Sequence, residues 1–232
     1  MWDNKMKAVT FSFDDNVEQD IRTIEILNRY GLKGTFNLNS GLLGRHDKLI
    51  RNNVEVEHYK NRAADIPHIY AGHEIAAHTV THPLLTKLSD ADVLREVEED
   101  RLALSEIAGY EVVGFAYPGG GVNYNDHVAD LIRSNTGVRY ARTTVDADSF
   151  ERQDDLIRFK PNAYYINADL FDTAKRFIGM KADVPQHLYI WGHSYEMDAG
   201  YISWERFEEL CAYLGGRDDI YYGTNAEVLL AE

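Results

Sequence analysis

The chain has 232 residues, 24 Lys and Arg against 38 Asp and Glu, and a net charge of −14. Its length fits one large domain or two small ones. The acidic balance argues against a broad phosphate-backbone footprint on nucleic acid and against a polybasic membrane contact. The single cysteine, Cys211, rules out an intramolecular disulfide and a thiolate zinc cluster, and reads as a core hydrophobe. No apolar run reaches the ~18–20 residues of a membrane span. Residues 1–7 lack the apolar stretch of a signal peptide, so a cytoplasmic location is the default expectation.

In chain order, Lys7–Phe13 is rich in β-formers and reads as a strand, stopped by the turn signal Asp14-Asp15-Asn16. Val17–Tyr30 has near-helical apolar spacing at Ile21, Ile24, Ile26, Leu27 and Tyr30, with Gly31 as a stop. Gly34–Leu38 is a second strand. Residues 41–72 are polar, contain His46, His58 and His68 as expected surface residues, and show no clean period, which predicts loops with short helices. His73–His78 is a short strand, with His73 itself structural. Ser89 is placed to cap a helix over Asp90–Ala108, ended by Gly109. Glu111–Tyr117 reads as strand, Asn125–Ser134 as helix, Val138–Val145 as strand, and Ala168–Ile178 as helix. His187–Gly192 is a strand, Ser203 caps a helix over Trp204–Leu214, Asp219–Tyr222 is the last strand, and Ala226–Ala231 a short helix. No repeat, low-complexity tract or linker divides the chain, so one domain over 1–232 is expected.

This alternation predicts an α/β fold with a parallel sheet, and six or seven strand–helix units suggest a barrel. Chemistry in such barrels gathers at the C-terminal ends of strands. Asp14 and Asp15 follow the first strand, His78 and His82 the third, Tyr117-Pro118-Gly119 the fourth, and His193 the strand near 190. His78 and His82, at i and i+4, can face one way on a helical turn. With a carboxylate they would make a His₂-Asp metal site with open positions, suited best to Zn²⁺, then Co²⁺, Ni²⁺, Mn²⁺ or Fe²⁺. Alone, the pair reads as well as surface or core histidines. Asp14-Asp15 alone reads first as a turn with charge at a helix N-terminus. The Gly119-Gly120-Gly121 run lacks the Lys-Ser/Thr of a phosphate loop.

The combination says more. Phe11-Ser12-Phe13-Asp14-Asp15-Asn16, Gly34-Thr35-Phe36-Asn37, Gly72 to Pro83 with His78 and His82, Phe115-Ala116-Tyr117-Pro118-Gly119-Gly120, and Leu188-Tyr189-Ile190-Trp191-Gly192-His193 occur in that order. This order and spacing resembles the polysaccharide deacetylases, carbohydrate esterase family four, of the chitooligosaccharide deacetylase-like kind. The resemblance implies a distorted (β/α) barrel with about seven parallel strands. It implies Asp15, His78 and His82 as ligands of one divalent metal, most readily zinc, Asp14 as general base and His193 as general acid. It places a groove wall at Tyr117, Pro118 and Gly119, with a backbone N–H near Gly119 for the oxyanion, and Trp191 at the apolar position two before the acid. The reaction implied is hydrolysis of an N-acetyl group on a glycan or amino sugar, giving acetate and a free amine, with a carbohydrate as partner.

Several positions depart from the family pattern. Asn16 stands where glycine is usual, and Asn tolerates the left-handed turn. Ala116 stands where an arginine commonly orients the base; Arg142 could supply that guanidinium from the next strand or be a plain surface arginine. Asp146, with Asp148 as second choice, is the candidate for the acid that tunes His193. Glu196 either helps line the site or is an exposed acid. These departures keep two alternatives open. One is a hydrolase of a non-sugar C–N bond, allantoinase-like, on the same scaffold. The other is a catalytically silent carbohydrate-binding protein. A homodimer is the ordinary expectation for a medium-sized enzyme.

Overall fold

The structure, a computed structural model, describes residues 1–232. Ten strands alternate with helices: β1 (Lys7–Asp14), β2 (Gly34–Leu38), β3 (His46–Arg51), β4 (Val54–Tyr59), β5 (Glu74–Ala77), β6 (Gly114–Ala116), β7 (Tyr140–Arg142), β8 (Ala163–Tyr164), β9 (Gln186–Gly192) and β10 (Ile220–Tyr222). β1 is buried along its whole length. Strands covered on both faces belong inside a parallel sheet, and β1 has β9 along one side and β2 on the other. The parallel path runs β7-β6-β5-β2-β1-β9-β8, seven strands, with β10 paired to the lower part of β1 at Lys7–Val9.

The sheet curls into a half-barrel. Its gap is spanned by residues 159–164: Phe159 N–H donates to Ala141 O at 3.0 Å, and Asn162 N–H to Tyr189 O at 2.9 Å. The fold is therefore the expected distorted (β/α) barrel. No helix is long and apolar enough to cross a membrane.

Alternation along each strand divides two interiors. Val9, Phe11 and Phe13 on β1, Phe36 and Leu38 on β2, Ile75 on β5, Phe115 on β6 and Leu188 and Ile190 on β9 point outward into the main core beneath the helices. There Phe207 meets Phe11 and Phe13 edge-on, 6.2 and 6.0 Å between centroids. The opposite parity faces the barrel axis: Thr10, Ser12 and Asp14, then Thr35 and Asn37, Glu74, Tyr140 and Arg142, Tyr189 and Trp191. Gly114 is required by this arrangement, since a Cβ there would lie 2.1 Å from the Tyr140 hydroxyl.

The helices are α1 (Asp20–Arg29), α2 (Ile66–Ile69), α3 (Asp90–Leu94), α4 (Asp100–Ala108), α5 (Asp126–Asn135), α6 (Leu170–Gly179), α7 (Tyr195–Asp198), α8 (Trp204–Leu214) and α9 (Asn225–Leu229). Ser89 and Ser203 cap as expected, accepting from Asp92 N at 3.3 Å and Arg206 N at 3.1 Å. Gly109 ends α4 at φ 75°. The run expected over 90–108 is interrupted by a π-turn at Arg95–Glu99. α9, held by a Thr224–Glu227 capping box, closes the N-terminal end of the barrel with Trp2, Val228 and Leu229. Only the C-terminal end is left open.

Residues 41–72 differ from the expectation. They hold an antiparallel hairpin, β3–β4, as well as α2. Asn52 and Asn53 form its turn at φ 51° and 60°, the left-handed pair that a two-residue hairpin needs. The hairpin is mostly exposed, so its strands lack the apolar face that would have marked them.

Candidate active site

Asp14 closes β1 with inward parity and meets the inward residues of neighbouring strands. Asn37 Nδ2 donates to Asp14 Oδ1 at 2.7 Å, and Arg142 Nη2 donates to Oδ2 at 2.5 Å. Arg142 is completely buried. Its guanidinium lies 4.2 Å from the Trp191 ring centre, and Trp191 stacks in turn on Tyr164 at 4.2 Å. Burial pushes the Asp14 carboxyl up, but Arg142, with His78 and His193, outweighs it and leaves the group below its ordinary value.

Asp15 would point outward if the strand continued. Instead the chain enters the left-handed region at Asp15 (φ 85°) and Asn16 (φ 53°), which turns the Asp15 carboxylate to the barrel mouth. The turn is tied down: Asp15 N–H donates to Asn37 O at 3.0 Å, Asn16 Nδ2 donates to Asn61 O at 3.1 Å, and the Tyr70 hydroxyl bonds Asn16 Oδ1 at 2.7 Å. His78 and His82 do not lie on a helical turn. They flank a loop with left-handed residues at Thr79 (φ 72°) and His82 (φ 62°), and the loop rather than helical period brings the rings to 4.8 Å between centroids.

His82 Nε2 is 3.7 Å and His78 Nε2 4.0 Å from Asp15 Oδ1. The ligand atoms of all three residues lie within 4.8 Å of one another. The donor set fits a divalent ion. His78 Nδ1 donates to Ala116 O at 2.8 Å, which leaves Nε2 as the free lone pair. Burial holds His78 down to about 4 and thus neutral. Burial would raise Asp15, but Lys60 and His58 outweigh it, leaving the carboxyl well below its ordinary value.

Lys60 and His58 come from the hairpin. Buried Lys60 donates through Nζ to Asp15 O at 2.5 Å, and His58 Nε2 is 3.4 Å from Asp15 Oδ2. His58 is therefore no surface residue, unlike His46 and His68. His73 is structural, its Nδ1 accepting from Gly34 N–H at 3.1 Å.

Across the mouth, His193 follows β9 with Nε2 3.9 Å from Asp14 Oδ2. Its Nδ1 lies 3.3 Å from Glu196 Oε2 and 3.3 Å from the Tyr164 hydroxyl, which also donates to Glu196 Oε1. Burial alone would lower the imidazolium, yet Glu196, with Asp14 and Asp15, raises it to about 9. The acid beside His193 is Glu196, three residues on, and not Asp146. Asp146 bonds Asn167 Nδ2 at 3.4 Å and lines a separate depression with Asp148.

Comparisons with known proteins identify the family. The family model for polysaccharide deacetylase matches residues 3–141, more than half of the chain. The chain belongs to the polysaccharide deacetylase family. A peptidoglycan-N-acetylmuramic acid deacetylase, PdaC of Bacillus subtilis, is 26% identical over 151 residues, covering 64% of this chain but only 28% of that protein's length. The structure of peptidoglycan deacetylase PdaC from Bacillus subtilis superposes with a TM-score of 0.55 at 19% identity, covering 97% of this chain and 90% of the other. The Xyl-CE4 domain of a multidomain xylanase from the hindgut metagenome of Trinervitermes trinervoides gives a TM-score of 0.58 at 17% identity, again with 97% and 90% covered. At these identities the superpositions speak for the fold.

In this polysaccharide deacetylase family member the cavity at the strand ends measures about 550 Å³. Tyr117, Gly119 and Trp191 line it with the acid and histidine groups; Pro118 does not. Asn123 Nδ2 braces the glycine loop by donating to Tyr117 O and Gly119 O, at 3.2 and 2.9 Å. The π-turn serves the histidine loop. Val80 N–H donates to Glu96 O at 3.0 Å, Thr81 N–H to Glu96 Oε2 at 2.8 Å, and His78 N–H to Asp100 Oδ2 at 2.9 Å. Sequence reasoning missed Lys60, Glu96, Asp100, Asn123 and Tyr164. Each acts through tertiary placement: Tyr164 ends the two-residue β8, Lys60 follows the mostly exposed β4, and the other three lie in helical turns or a loop.

Proposed function

We propose that this chain removes N-acetyl groups from a glycan by metal-dependent hydrolysis, with Asp14 as general base and His193 as general acid. One observation carries the reading. Asp14 stands between the Asp15–His78–His82 cluster and His193, its carboxylate oriented from behind by Arg142 and Asn37. Family membership supports the reaction class. The name of the Bacillus subtilis relative, a peptidoglycan-N-acetylmuramic acid deacetylase, supports an N-acetylated sugar as substrate.

Asp15, His78 and His82 would hold the metal; two imidazoles and a carboxylate suit zinc first, with cobalt, nickel, manganese and iron also compatible. When bound, such an ion polarises an amide carbonyl and acidifies water. The chain's own groups do the rest. Asp14, held ionised by Arg142, accepts the proton of the attacking water. A backbone N–H of the glycine loop near Gly119 offers a donor to the developing oxyanion. His193, kept protonated by Glu196, gives its proton to the departing amine nitrogen, so that a neutral amine leaves. Tyr164, half-buried and stacked on Trp191, gives the cavity an aromatic side for a sugar ring.

Acetate release from N-acetylglucosamine oligomers and from peptidoglycan tests the proposal, with metal-stripped protein before and after zinc addition. Zinc-restored release that is absent in His78→Ala is the expected result. Stoichiometric metal binding with no acetate from either substrate would overturn it.

A further inference from the structure

The lysines and arginines in and behind the cavity are of two kinds. Arg142 is committed to Asp14 at 2.5 Å, and Lys60 to the Asp15 main chain and carboxylate, at 2.5 and 3.7 Å. Arg51, at the end of β3, also lines the cavity, but no acidic group of the chain pairs with it. Its one hydrogen bond to main chain is Nη1 to Ile50 O at 3.1 Å. Its other neighbour is the Tyr195 side chain. Arg51 is exposed, and its guanidinium is the arginine charge at the cavity lining that is left open to a ligand.

The hairpin that carries Arg51 is held in place. Asn52, the next residue, donates through Nδ2 to Ala199 O at 3.1 Å, just beyond α7. Val56 of β4 packs with Val17, Tyr195 and Ala199, and Gln19 Nε2 donates to Glu57 O at 2.9 Å. The hairpin thus forms an anchored wall between the end of β1 and the loop after β9, and its Arg51 lines the same cavity as the Gly119–Gly121 loop. Tyr195 connects the wall to the reacting groups, its ring 5.2 Å from His193 and 5.1 Å from His58.

We propose that Arg51 is a specificity-determining residue that binds an anionic group, carboxylate or phosphate, carried by the substrate near its N-acetylated unit. This rests on the deacetylase reading above. A guanidinium fork matches either oxyanion with paired hydrogen bonds, and the charge-assisted bonds are stronger than neutral ones. The wall makes the site one-sided: the substrate's charged substituent lies toward the hairpin and its acetamide toward Asp14 and His193.

The test compares three probes: a neutral N-acetylglucosamine oligomer, an N-acetylated disaccharide bearing a carboxylate ether, and one bearing a phosphate ester. Acetate release and equilibrium binding are measured for the zinc-loaded wild type, Arg51→Gln and Arg45→Gln. Arg45 is exposed at the hairpin base and paired with Asp47 at 2.7 Å, so its variant makes the same change in net charge away from the cavity. Arg51→Gln is expected to lower kcat/KM and affinity for a charged probe about 10–100-fold more than for the neutral one. Arg45→Gln leaves the ratio at the wild-type value. The charged probe with the larger loss identifies the oxyanion. Equal losses on charged and neutral probes, or the same effect from Arg45→Gln, would overturn the proposal. Wild type that binds the probes but releases acetate from none refutes the deacetylase reading instead, and the binding ratio still decides the role of Arg51.

Discussion

The floor of the cavity and its hairpin wall are built on different physical terms. The floor is made of strand ends. Its side chains are buried, and its charges are matched within the chain: Asp14 by Arg142, and His193 by Glu196. The wall is an exposed antiparallel insertion that sends two groups inward, His58 and Lys60, and leaves Arg51 unmatched. Floors of this kind define a reaction because every donor and acceptor is fixed before substrate arrives. Walls of this kind select a substrate, since their free charge acquires its partner only on binding.

Breaking the floor should have the largest effects. Asp14→Asn keeps the shape but removes the proposed base, and is expected to lower kcat by about 10²–10⁴-fold in an acetate-release assay; it also leaves the buried Arg142 guanidinium without its carboxylate, so the thermal unfolding midpoint should fall as well. Arg142→Met should damage both activity and fold. It leaves Asp14 buried without its cation, and denaturant unfolding should show a loss of about 3–5 kcal/mol. The Asp14 carboxyl then rises, so the acidic limb of the pH–rate profile, where the base becomes protonated, moves to higher pH. Arg142→Lys should not restore the wild-type profile, because an ammonium cannot stack on Trp191 as the planar fork does.

Glu196→Gln sharpens the contrast without breaking the floor. In its proposed role as acid His193 must be protonated, so activity should fall as pH rises through its pKa. Glu196 raises that pKa, to about 9 in the wild type. Removing its charge should move the alkaline limb of the kcat/KM profile to lower pH and leave the acidic limb in place. An unmoved alkaline limb would take Glu196 out of this role. The smallest effect is expected in the wall. Asn52→Ala removes the bond to Ala199 O and should cost about 1 kcal/mol or less in thermal unfolding. It should blur the ratio of rates on charged and neutral substrates more than it lowers either rate.

The same division explains what the sequence reveals. Strand ends combine strong local signals: β-rich runs stopped by Asp14-Asp15-Asn16 or by Pro118-Gly119, with alternation that fixes which side chains face the axis. Asp14, His78, Arg142 and His193 can be named from such signals because each sits at or just after a strand. β3 and β4 bury almost nothing apolar, so alternation has no face to report. The Asn52-Asn53 turn and the Val54-Glu55-Val56-Glu57 alternation were the available clues. Glu196 was legible only as a candidate, since nothing local says that α7 folds its carboxylate back onto the imidazole three residues earlier. Asp146 was misplaced for the complementary reason. It follows a short strand, but its carboxylate accepts from Asn167 Nδ2 at 3.4 Å and lies in a separate depression. Glu96 and Asp100 carry the histidine loop from a helix that reads in sequence as an ordinary amphipathic run.

The most direct measurement is the rate of acetate release from N-acetylglucosamine oligomers as zinc is titrated into metal-stripped protein. A rate that rises linearly and breaks at one equivalent, with His82→Ala flat throughout, is the predicted result. Release that is indifferent to metal, or that shows no break at one equivalent, would contradict a single Asp15–His78–His82 centre as the seat of the reaction.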